Sequence, residues 1–352
     1  MEDSNLITAI NAYKNKEISK SSISVIIKSI LKKDIETPNI IRGFKHLIEI
    51  EQSPDSLSDL YWIFESLNTE RSQVFTELME ETLGERFIKN YNVHPREAMA
   101  LGLVEKIIGQ ELLNEANYPE LHHVHAAFKI KEGHIIDLDI VEVCCPSIQF
   151  LKLLPNLISL RMSMTGLKEF KGFNSMSKLE WLSLNSNAIK EIQNIQLLKN
   201  LSLLEIDSNP VERIIGINKL KMLTEIVVYD TKISNSTKIK INKHINSNRL
   251  RIAKERDKKL RKAERNAKKG EYQGAIENFK EVIKLSKSLH PGGYSYHLLL
   301  SPKEWHDLAI VYLKIGRYEK ALNICELAIK LDSHNKELLK LQSKIIKLKS
   351  KT

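Results

Sequence analysis

Apolar residues recur every 22 residues between positions 135 and 233, and this period restricts the fold more than any other feature of the chain. The recurrence holds in seven columns of one register. The three columns assigned to strands are Ile135, Leu157, Leu179, Leu201 and Leu223; Leu138, Leu160, Leu182, Leu204 and Ile226; and Ile140, Met162, Leu184, Ile206 and Val228. Such a period predicts repeats that bury their apolar faces against one another.

The spacing within each repeat indicates a short strand, a turn and a compact return. A strand buries alternate residues, which explains the L-x-L step. Asn187 and Asn209 occupy the turn position, where a side-chain amide can bond backbone groups of the neighbouring repeat. The other repeats have Val143, Thr165 and Thr231 there, so we expect the asparagine ladder to weaken at both ends.

The segments LEWLSLNSNAIKEI (179–192) and LSLLEIDSNPVERI (201–214) resemble leucine-rich repeats of the 22-residue class. That class occurs in internalins and in a regulatory subunit of protein phosphatase 1. The resemblance covers about residues 135–235, in five repeats. It implies a curved solenoid whose parallel sheet lines a concave face, used mainly to bind other macromolecules.

A hairpin is predicted just before the first repeat. Val124, Ala126, Phe128 and Ile130 alternate on one side of a strand, and Lys131-Glu132-Gly133 supplies the turn. Such a hairpin would cover the open edge of the first repeat, as the ends of a solenoid require.

The C-terminal third resembles tetratricopeptide repeats, which are pairs of antiparallel helices that bind proteins. The best copy, residues 305–331, matches at Trp305, Leu308, Ala309, Tyr312, Gly316, Tyr318, Ala321 and Ala328. An earlier copy at 256–285 matches at Gly270, Tyr272, Ala275 and Phe279, and residues 336–349 predict a capping helix. The clamp for C-terminal carboxylates is not expected, because its positions fall on Leu260, Glu264, His306 and Ile310.

These features predict an α+β repeat protein in three parts. Residues 1–115 form an all-helical region, in which 21–33, 39–50 and 57–67 have apolar residues at helical spacing. Residues 116–245 form the capping hairpin and the leucine-rich solenoid with its parallel sheet. Residues 246–352 form a basic helix, two tetratricopeptide-like hairpins and the capping helix.

Composition and motifs favour a non-enzymatic, cytoplasmic protein. The three cysteines are too few for a disulfide framework, and neither a signal peptide nor an apolar run long enough to span a membrane is found. Phosphate-loop and nucleophile motifs are missing, so no catalytic residue and no cofactor is expected. The paired carboxylates Glu80 and Glu81 are assigned to a solvated helix face.

Two clusters were weighed as metal or redox sites. His122, His123 and His125 could hold a metal, but an exposed strand of the capping hairpin explains them better. The pair Cys144-Cys145 could supply thiolates, but the repeat register places Cys145 in the core. No metal is therefore expected.

The register also selects the residues that face the concave side of the sheet. The partner-binding set is Asp137, Asp139, Arg161, Trp181, Ser183, Asn185, Leu203, Glu205, Asp207, Glu225 and Tyr229. Trp181 and Leu203 are predicted to be apolar, adjacent and solvent-facing, which is typical of a binding hot spot. Five carboxylates in this set face one arginine, so a protein partner with a basic surface is favoured although the chain has a net charge of +10.

The stretch 249–269 has eleven Lys and Arg against three carboxylates. One hypothesis is contact with nucleic-acid phosphates. Another is a solvated helix packed on its neighbour, and a third is an intramolecular cover over the acidic concave face. The adaptor function leads, nucleic-acid association is the alternative, and regulation of a phosphatase or GTPase rests on analogy alone. The oligomeric state stays open.

Overall fold

The computed structural model describes residues 3–15, 17–31, 44–45, 48, 54–67, 69–114, 126–145, 147–291 and 299–350. The chain divides into two compact units. Unit 1 contains Met1–Leu198, Glu205–Gly216 and Val228–Lys232, and unit 2 contains Lys199–Leu204, Ile217–Val227 and Ile233–Thr352. The architecture combines helices with a mostly parallel sheet.

Unit 1 begins with helices. Their bounds are α1 Asp3–Lys14, α2 Lys20–Leu31, α3 Pro54–Leu67, α4 Glu70–Tyr91 and α5 Pro95–Ile108. Local signals set the ends of α4, because Thr69 and Ser72 form a capping box at its start and Asn92 takes the left-handed conformation at its end. Segments 21–33 and 57–67 are thus largely helical as predicted, whereas most of 39–50 lies outside the described residues.

Helices α4 and α5 pack closely through glycine. A Cβ atom on Gly102 would lie only 1.9 Å from the backbone oxygen of Leu83, so no larger residue fits at this crossing. Arg86 of α4 then bonds the Glu105 carboxylate and the Leu112 carbonyl, which ties the end of α5 to the following segment.

A short strand corrects the expectation that the chain is all helical up to residue 115. Strand β1, Leu113–Asn114, pairs in parallel with β2, with Leu113 opposite Ala127. Two residues are too few to show the alternating pattern of a strand, so the sequence could not predict β1. The strand forms because β2, later in the chain, pairs with it.

The predicted hairpin is present in unit 1. Strands β2 (Ala126–Lys131) and β3 (His134–Val141) pair antiparallel, and the two turn residues Glu132 and Gly133 both have positive φ. Such a turn matches the right-handed twist of the strands it joins. The neighbours in the sheet are β1, β2, β3, β4 and β5, in that order.

The repeats follow in the predicted register. Strand β4 is Ser159–Ser163 and β5 is Trp181–Ser183, and parallel pairing places Asp137 opposite Ser159, and Ser159 opposite Trp181. Strands β6 (Glu191–Ile192) and β8 (Arg213–Ile214) form a second parallel pair. Short 3₁₀ helices return the chain at Gln149–Leu153, Phe173–Ser175, Ile195–Leu197 and Ile217–Lys219.

Strands β7 (Leu203–Glu205) and β9 (Glu225–Val227) are also neighbours in the strand order. The division between the units passes through β7, so that Leu203 and Leu204 belong to unit 2 and Glu205 to unit 1. Within unit 1, the amide of Leu184 donates to the carbonyl of Glu205 at 2.8 Å.

Burial confirms the predicted register. Leu138, Leu160, Leu182 and Leu204 are fully buried, and the same column becomes partly exposed only at Ile226. The backbone repeats as well, since a left-handed residue occurs after each strand at Glu142, Met164, Ser186, Ser208 and Asp230, 22 residues apart. Each repeat therefore turns out of its strand in the same way.

Asparagine side chains bond adjacent repeats as predicted. The Asn209 amide donates to the Leu184 and Ile206 carbonyls at 2.8 and 3.2 Å, and its oxygen accepts from the Ile189 amide at 3.1 Å. Asn187 does the same one repeat earlier, donating to the Met162 carbonyl at 2.7 Å. These bonds satisfy backbone groups at the turns, where the chain leaves the strand and makes no strand-to-strand hydrogen bonds.

Unit 2 contains the C-terminal helices. They are α6 Asn235–Lys268, α7 Tyr272–Leu289, α8 Pro302–Lys314, α9 Tyr318–Leu331 and α10 Lys336–Lys349. Ser301 and Glu304 form a capping box at the start of α8, and Gly316 (φ +71°) turns the chain between α8 and α9. Helix α6 is continuous across the predicted domain boundary at 245/246.

Candidate protein-binding surfaces

Unit 1 gathers carboxylates on one face of its sheet, which we name the acidic surface: Asp137, Asp139, Glu205 and Asp207. Parallel pairing of β3 with β4 sets Asp139 opposite Arg161, and the guanidinium bonds the Asp139 carboxylate. Arg161 neutralises the Asp139 charge, and antiparallel pairing sets Lys129 of β2 opposite Asp137, so the negative charge of this surface lies mainly at Glu205 and Asp207. The surface retains a negative charge.

Trp181 lies next to Glu205 of the acidic surface. Strand β5 places its indole in a partly exposed position, and the ring Nε1 donates to Glu205 Oε2 at 3.3 Å. The indole thus combines a hydrogen bond at one end with a partly exposed apolar ring, as in the amphipathic aromatic residues enriched at interfaces.

Asp207 is held by its backbone. Its amide donates to the Asn185 side-chain oxygen at 3.1 Å, which fixes the residue at the end of its strand. Its Oδ1 atom is buried without a hydrogen-bond partner among the described residues. A buried, unpaired acceptor of this kind is costly in a folded protein.

Leu203 corrects part of the predicted surface, because its side chain is 2% exposed and not solvent-facing. Leu203 belongs to unit 2. In the same unit the Thr224 amide donates to the carbonyl of Ser202, the residue before Leu203, at 3.0 Å, and the Thr224 hydroxyl donates to the carbonyl of Ser288. The end of α7 thus lies against the start of β9, a contact that no repeat period announces.

Ser183 is a second correction, since it is only 1% exposed. Its hydroxyl lies 3.3 Å from that of Ser163, and the two buried side chains bond each other. Ser183 is therefore unsuited to direct contact with a partner. Glu225 and Tyr229 are exposed, and the Tyr229 side chain shows 78% of its surface to solvent.

His290 follows α7 and lies near Glu225 of β9, both in unit 2. The sequence analysis did not identify this residue. Burial is the main cause that lowers its pKa, and the charges of Arg249 and Arg256 lower the pKa further, while Glu225 opposes them. The residue follows α7 outside any motif. The end of a helix that contacts a strand some 60 residues earlier has no nearby sequence pattern that would predict the contact.

The C-terminal hairpin of α8 and α9 is packed through small residues. Ala309 and Ala321 are fully buried and lie in one cluster with Cys325, to which α10 contributes Leu341 and Ile345. Burial is the main cause that raises the pKa of the Cys325 thiol to about 11. Helix α10 thus covers one side of the hairpin, as the capping prediction requires.

Helix α6 joins this region through a nearly buried ion pair. Arg256 donates to both carboxylate oxygens of Glu304, at 3.1 and 2.8 Å, and to the Ser286 hydroxyl at 2.7 Å. Ala263 of α6 also packs in a cluster with Phe279 of α7 and Trp305 of α8. The predicted earlier hairpin is therefore present as the end of α6 with α7.

The three histidines of the metal hypothesis, His122, His123 and His125, lie outside the described residues. The nearby His134 has its Nδ1 atom 2.8 Å from Glu97 Oε1. Among the described residues, no group of three or more His, Cys, Asp or Glu is arranged to hold a metal ion.

Glu80 also differs from its expected place on a solvated helix face. It is partly buried and accepts a hydrogen bond of 2.6 Å from the hydroxyl of Tyr61. Burial is the main cause that raises the pKa of this carboxyl. The contact joins α3 to α4, so Glu80 has a packing role that its pairing with Glu81 in the sequence did not indicate.

Comparison with known proteins identifies one segment. The tetratricopeptide repeat family model matches residues 302–335, which include α8 and α9. This part of the chain therefore contains a tetratricopeptide repeat, a module that generally mediates protein–protein interaction. The match does not extend to the 22-residue repeats. No curated protein matches the chain. No helix among the described residues is long and apolar enough to cross a membrane.

Proposed function

We propose that this chain is a non-catalytic scaffold that binds protein partners on two surfaces, the acidic surface of unit 1 and the tetratricopeptide hairpin of unit 2. The observation that carries the proposal is the tetratricopeptide repeat at 302–335, because such repeats generally mediate protein–protein interaction. The acidic surface supplies the second point of attachment.

The repeats between 135 and 235 belong, in this proposal, to the leucine-rich class and form a solenoid with the acidic surface on its concave side. Three observations support that class. The apolar columns are buried in one register, a left-handed turn residue recurs every 22 residues, and Asn187 and Asn209 bond adjacent repeats. Leucine-rich repeats bind macromolecules mainly on this side.

The partner on the acidic surface is proposed to be a protein with a basic surface. Lysine or arginine side chains would pair with Glu205 and Asp207, and an apolar group would pack on the exposed part of the Trp181 ring. Opposite charges steer such an encounter, whereas the aromatic contact holds the complex once it has formed. Tyr229, which is highly exposed, extends the contact area.

A location in a reducing compartment, the cytoplasm, belongs to the same proposal. None of the three cysteines, all of them among the described residues, forms a disulfide, and Cys145 and Cys325 are buried as small apolar side chains. Cys145 in particular fills a position in an apolar column of the repeats. Buried thiols that form no disulfide fit a reducing compartment.

The test begins with affinity capture of partners by the full-length chain, with nuclease added, followed by quantitative binding of each partner. We expect Trp181→Ala to weaken binding by more than about 1 kcal/mol. We expect the double change Glu205→Lys and Asp207→Lys to slow association, and the effect should shrink as salt is raised.

The matched control reverses two exposed carboxylates elsewhere in the repeats, Glu169→Lys and Glu212→Lys. It changes the net charge by the same amount and should leave binding unaltered. If the partners bind all these variants like the parent, and only changes in α8 or α9 reduce binding, then the acidic surface is not a binding site. In that case the tetratricopeptide part alone would explain scaffolding.

A further inference from the structure

Helix α6 separates its buried side chains from its charges. The residues buried along it are Ile241, Ile245, Asn248, Ile252 and Ala263, at intervals that keep them on one side of the helix. Lys254 follows Ile252 by two residues and is therefore about 200° around the helix, on the opposite side. The structure thus gives this helix a packed face and a solvent face.

The solvent face has a continuous row of cations, which we name the basic stripe: Arg251, Lys254, Lys258, Arg261, Arg265 and Lys268. All six are exposed, and successive members are three or four residues apart. At 1.5 Å per residue the stripe is about 26 Å long. A row of this kind concentrates positive potential along a straight line.

Most of this charge is not neutralised within the protein. Lys254, Arg261, Arg265 and Lys268 have no carboxylate partner among the described residues, and the nearest carboxylate of Lys258 is Glu255 at 3.9 Å. Arg256, in contrast, lies off the stripe and pairs with Glu304. Six adjacent cations repel one another, so the stripe costs stability unless an anionic partner is bound.

We propose that the basic stripe binds the phosphate backbone of double-stranded DNA without sequence specificity. Duplex DNA has about one phosphate charge per 1.7 Å of axis, or roughly fifteen along the length of the stripe. Exposed lysine and arginine side chains need no further partner to make such contacts. The proposal is independent of the scaffold function, which uses other residues.

The composition of the stripe favours a duplex backbone over other anionic partners. It contains no aromatic residue, whereas single-stranded nucleic acid is bound by stacking bases on aromatic side chains. All six side chains are donors only, so the stripe cannot accept the hydrogen bond that a 2′-hydroxyl of duplex RNA donates. An acidic protein interface would need an apolar or aromatic anchor at its centre, whereas the exposed Leu250 of this helix lies beyond the N-terminal end of the stripe.

The experiment measures binding of the full-length chain to a fluorescent 24-base-pair DNA duplex by anisotropy, over about 50–300 mM salt. The stripe variant combines Lys254→Gln, Arg261→Gln, Arg265→Gln and Lys268→Gln, which preserve helix propensity. We expect the variant to lose at least about tenfold in affinity at 100 mM salt. Its slope of log K against log salt should flatten by about 3 to 4, since each lost phosphate contact contributes about 0.9.

The control variant removes four exposed lysines from the repeats, by Lys168→Gln, Lys171→Gln, Lys190→Gln and Lys199→Gln. It lowers the net charge equally and should bind DNA like the parent with an unchanged slope. Circular dichroism melts of both variants verify that they are folded. Equal losses in the two variants would show that net charge, and not the stripe, determines binding, and would overturn the proposal.

Three further probes distinguish the partner. The same anisotropy measurement uses a duplex RNA of equal length, and direct titrations use poly-glutamate and vesicles containing phosphatidylserine. We expect the DNA duplex to bind at least as tightly as RNA and more tightly than poly-glutamate or vesicles. Failure of the parent to bind DNA at 50 mM salt, or tighter stripe-dependent binding of any other probe, contradicts the assignment to DNA.

Discussion

Asn209 shows how much a single side chain contributes to the repeats. Its amide and oxygen satisfy two carbonyls and one amide that belong to two successive repeats, and the residue is 1% exposed. Water cannot replace these bonds at a buried position. In the last repeat Thr231 occupies the same position, and its hydroxyl donates to the Val228 carbonyl at 3.0 Å. This bond corresponds to the one from Asn209 to the Ile206 carbonyl.

We expect Asn209→Ala to lower the free energy of unfolding by roughly 1–3 kcal/mol, the cost of leaving buried polar groups unsatisfied. The measurement is denaturant unfolding followed by circular dichroism. Gln193→Ala, at an exposed position in the adjacent repeat, should change stability by less than about 0.5 kcal/mol. Equal effects of the two substitutions would mean that the amide bonds do not stabilise the fold.

The three cysteines differ in accessibility, and this difference can be measured. Cys144 is exposed, whereas Cys145 and Cys325 are buried. Burial raises the pKa of Cys325 to about 11, so its thiolate is scarce at neutral pH and increases only as the pH approaches that value. Both effects protect the buried thiols from reagents.

Titration of the native chain with a thiol reagent at pH 7 should therefore modify Cys144 rapidly and the other two slowly, and denaturant should release all three. Mass spectrometry of the modified peptides identifies the sites. Fast modification of Cys145 in the folded chain would contradict its place in the apolar column of the repeats. The variant Cys144→Ser is the control, because it should remove the rapid phase alone.

At the scale of elements, each repeat combines a strand of about three residues with a 3₁₀ return. Neither piece could fold alone, because a strand this short has no partner until the next repeat is in place. The stability of the repeats therefore comes from the leucine columns between them. Leu182, on β5, is fully buried in the middle of its column.

We expect Leu182→Ala to destabilise the protein by roughly 2–5 kcal/mol, through lost burial and the cavity that remains. Leu197→Ala is the matched control, because Leu197 has 40% of its surface exposed and should cost less than about 1 kcal/mol. Chemical denaturation gives both values. A loss below about 0.5 kcal/mol for Leu182→Ala would show that the register is wrong.

The whole molecule has a net charge of +10, but its charges are segregated. Unit 1 has the acidic surface, on and next to its strands, and unit 2 has the basic stripe, along one helix. Such segregation lets one chain attract partners of opposite sign on different surfaces. Salt should weaken both proposed interactions, and each set of variants should alter only one of them.

The amino-acid sequence by itself determined the repeat register and the tetratricopeptide hairpin, because both depend on contacts between residues at short, regular spacing. When every repeat buries the same position, the leucines recur at a constant spacing that can be read directly from the sequence. The spacing of Ala309, Gly316 and Ala321 likewise describes two helices that pack on each other immediately. Local spacing also predicted the Asn187 and Asn209 bonds.

The tertiary structure alone decided the burial of Leu203 and Ser183, the strand at 113–114 and the pairing of Arg256 with Glu304. Each reflects tertiary packing, which the spacing of residues along the chain does not show. The register correctly placed Trp181 beside the acidic surface, but it could not show that the end of α7 lies against Thr224. Sequence periodicity predicts the contacts that every repeat makes, because those contacts recur at the same spacing. A contact that a helix makes with only one repeat has no such recurrence, so it is seen only in the folded chain.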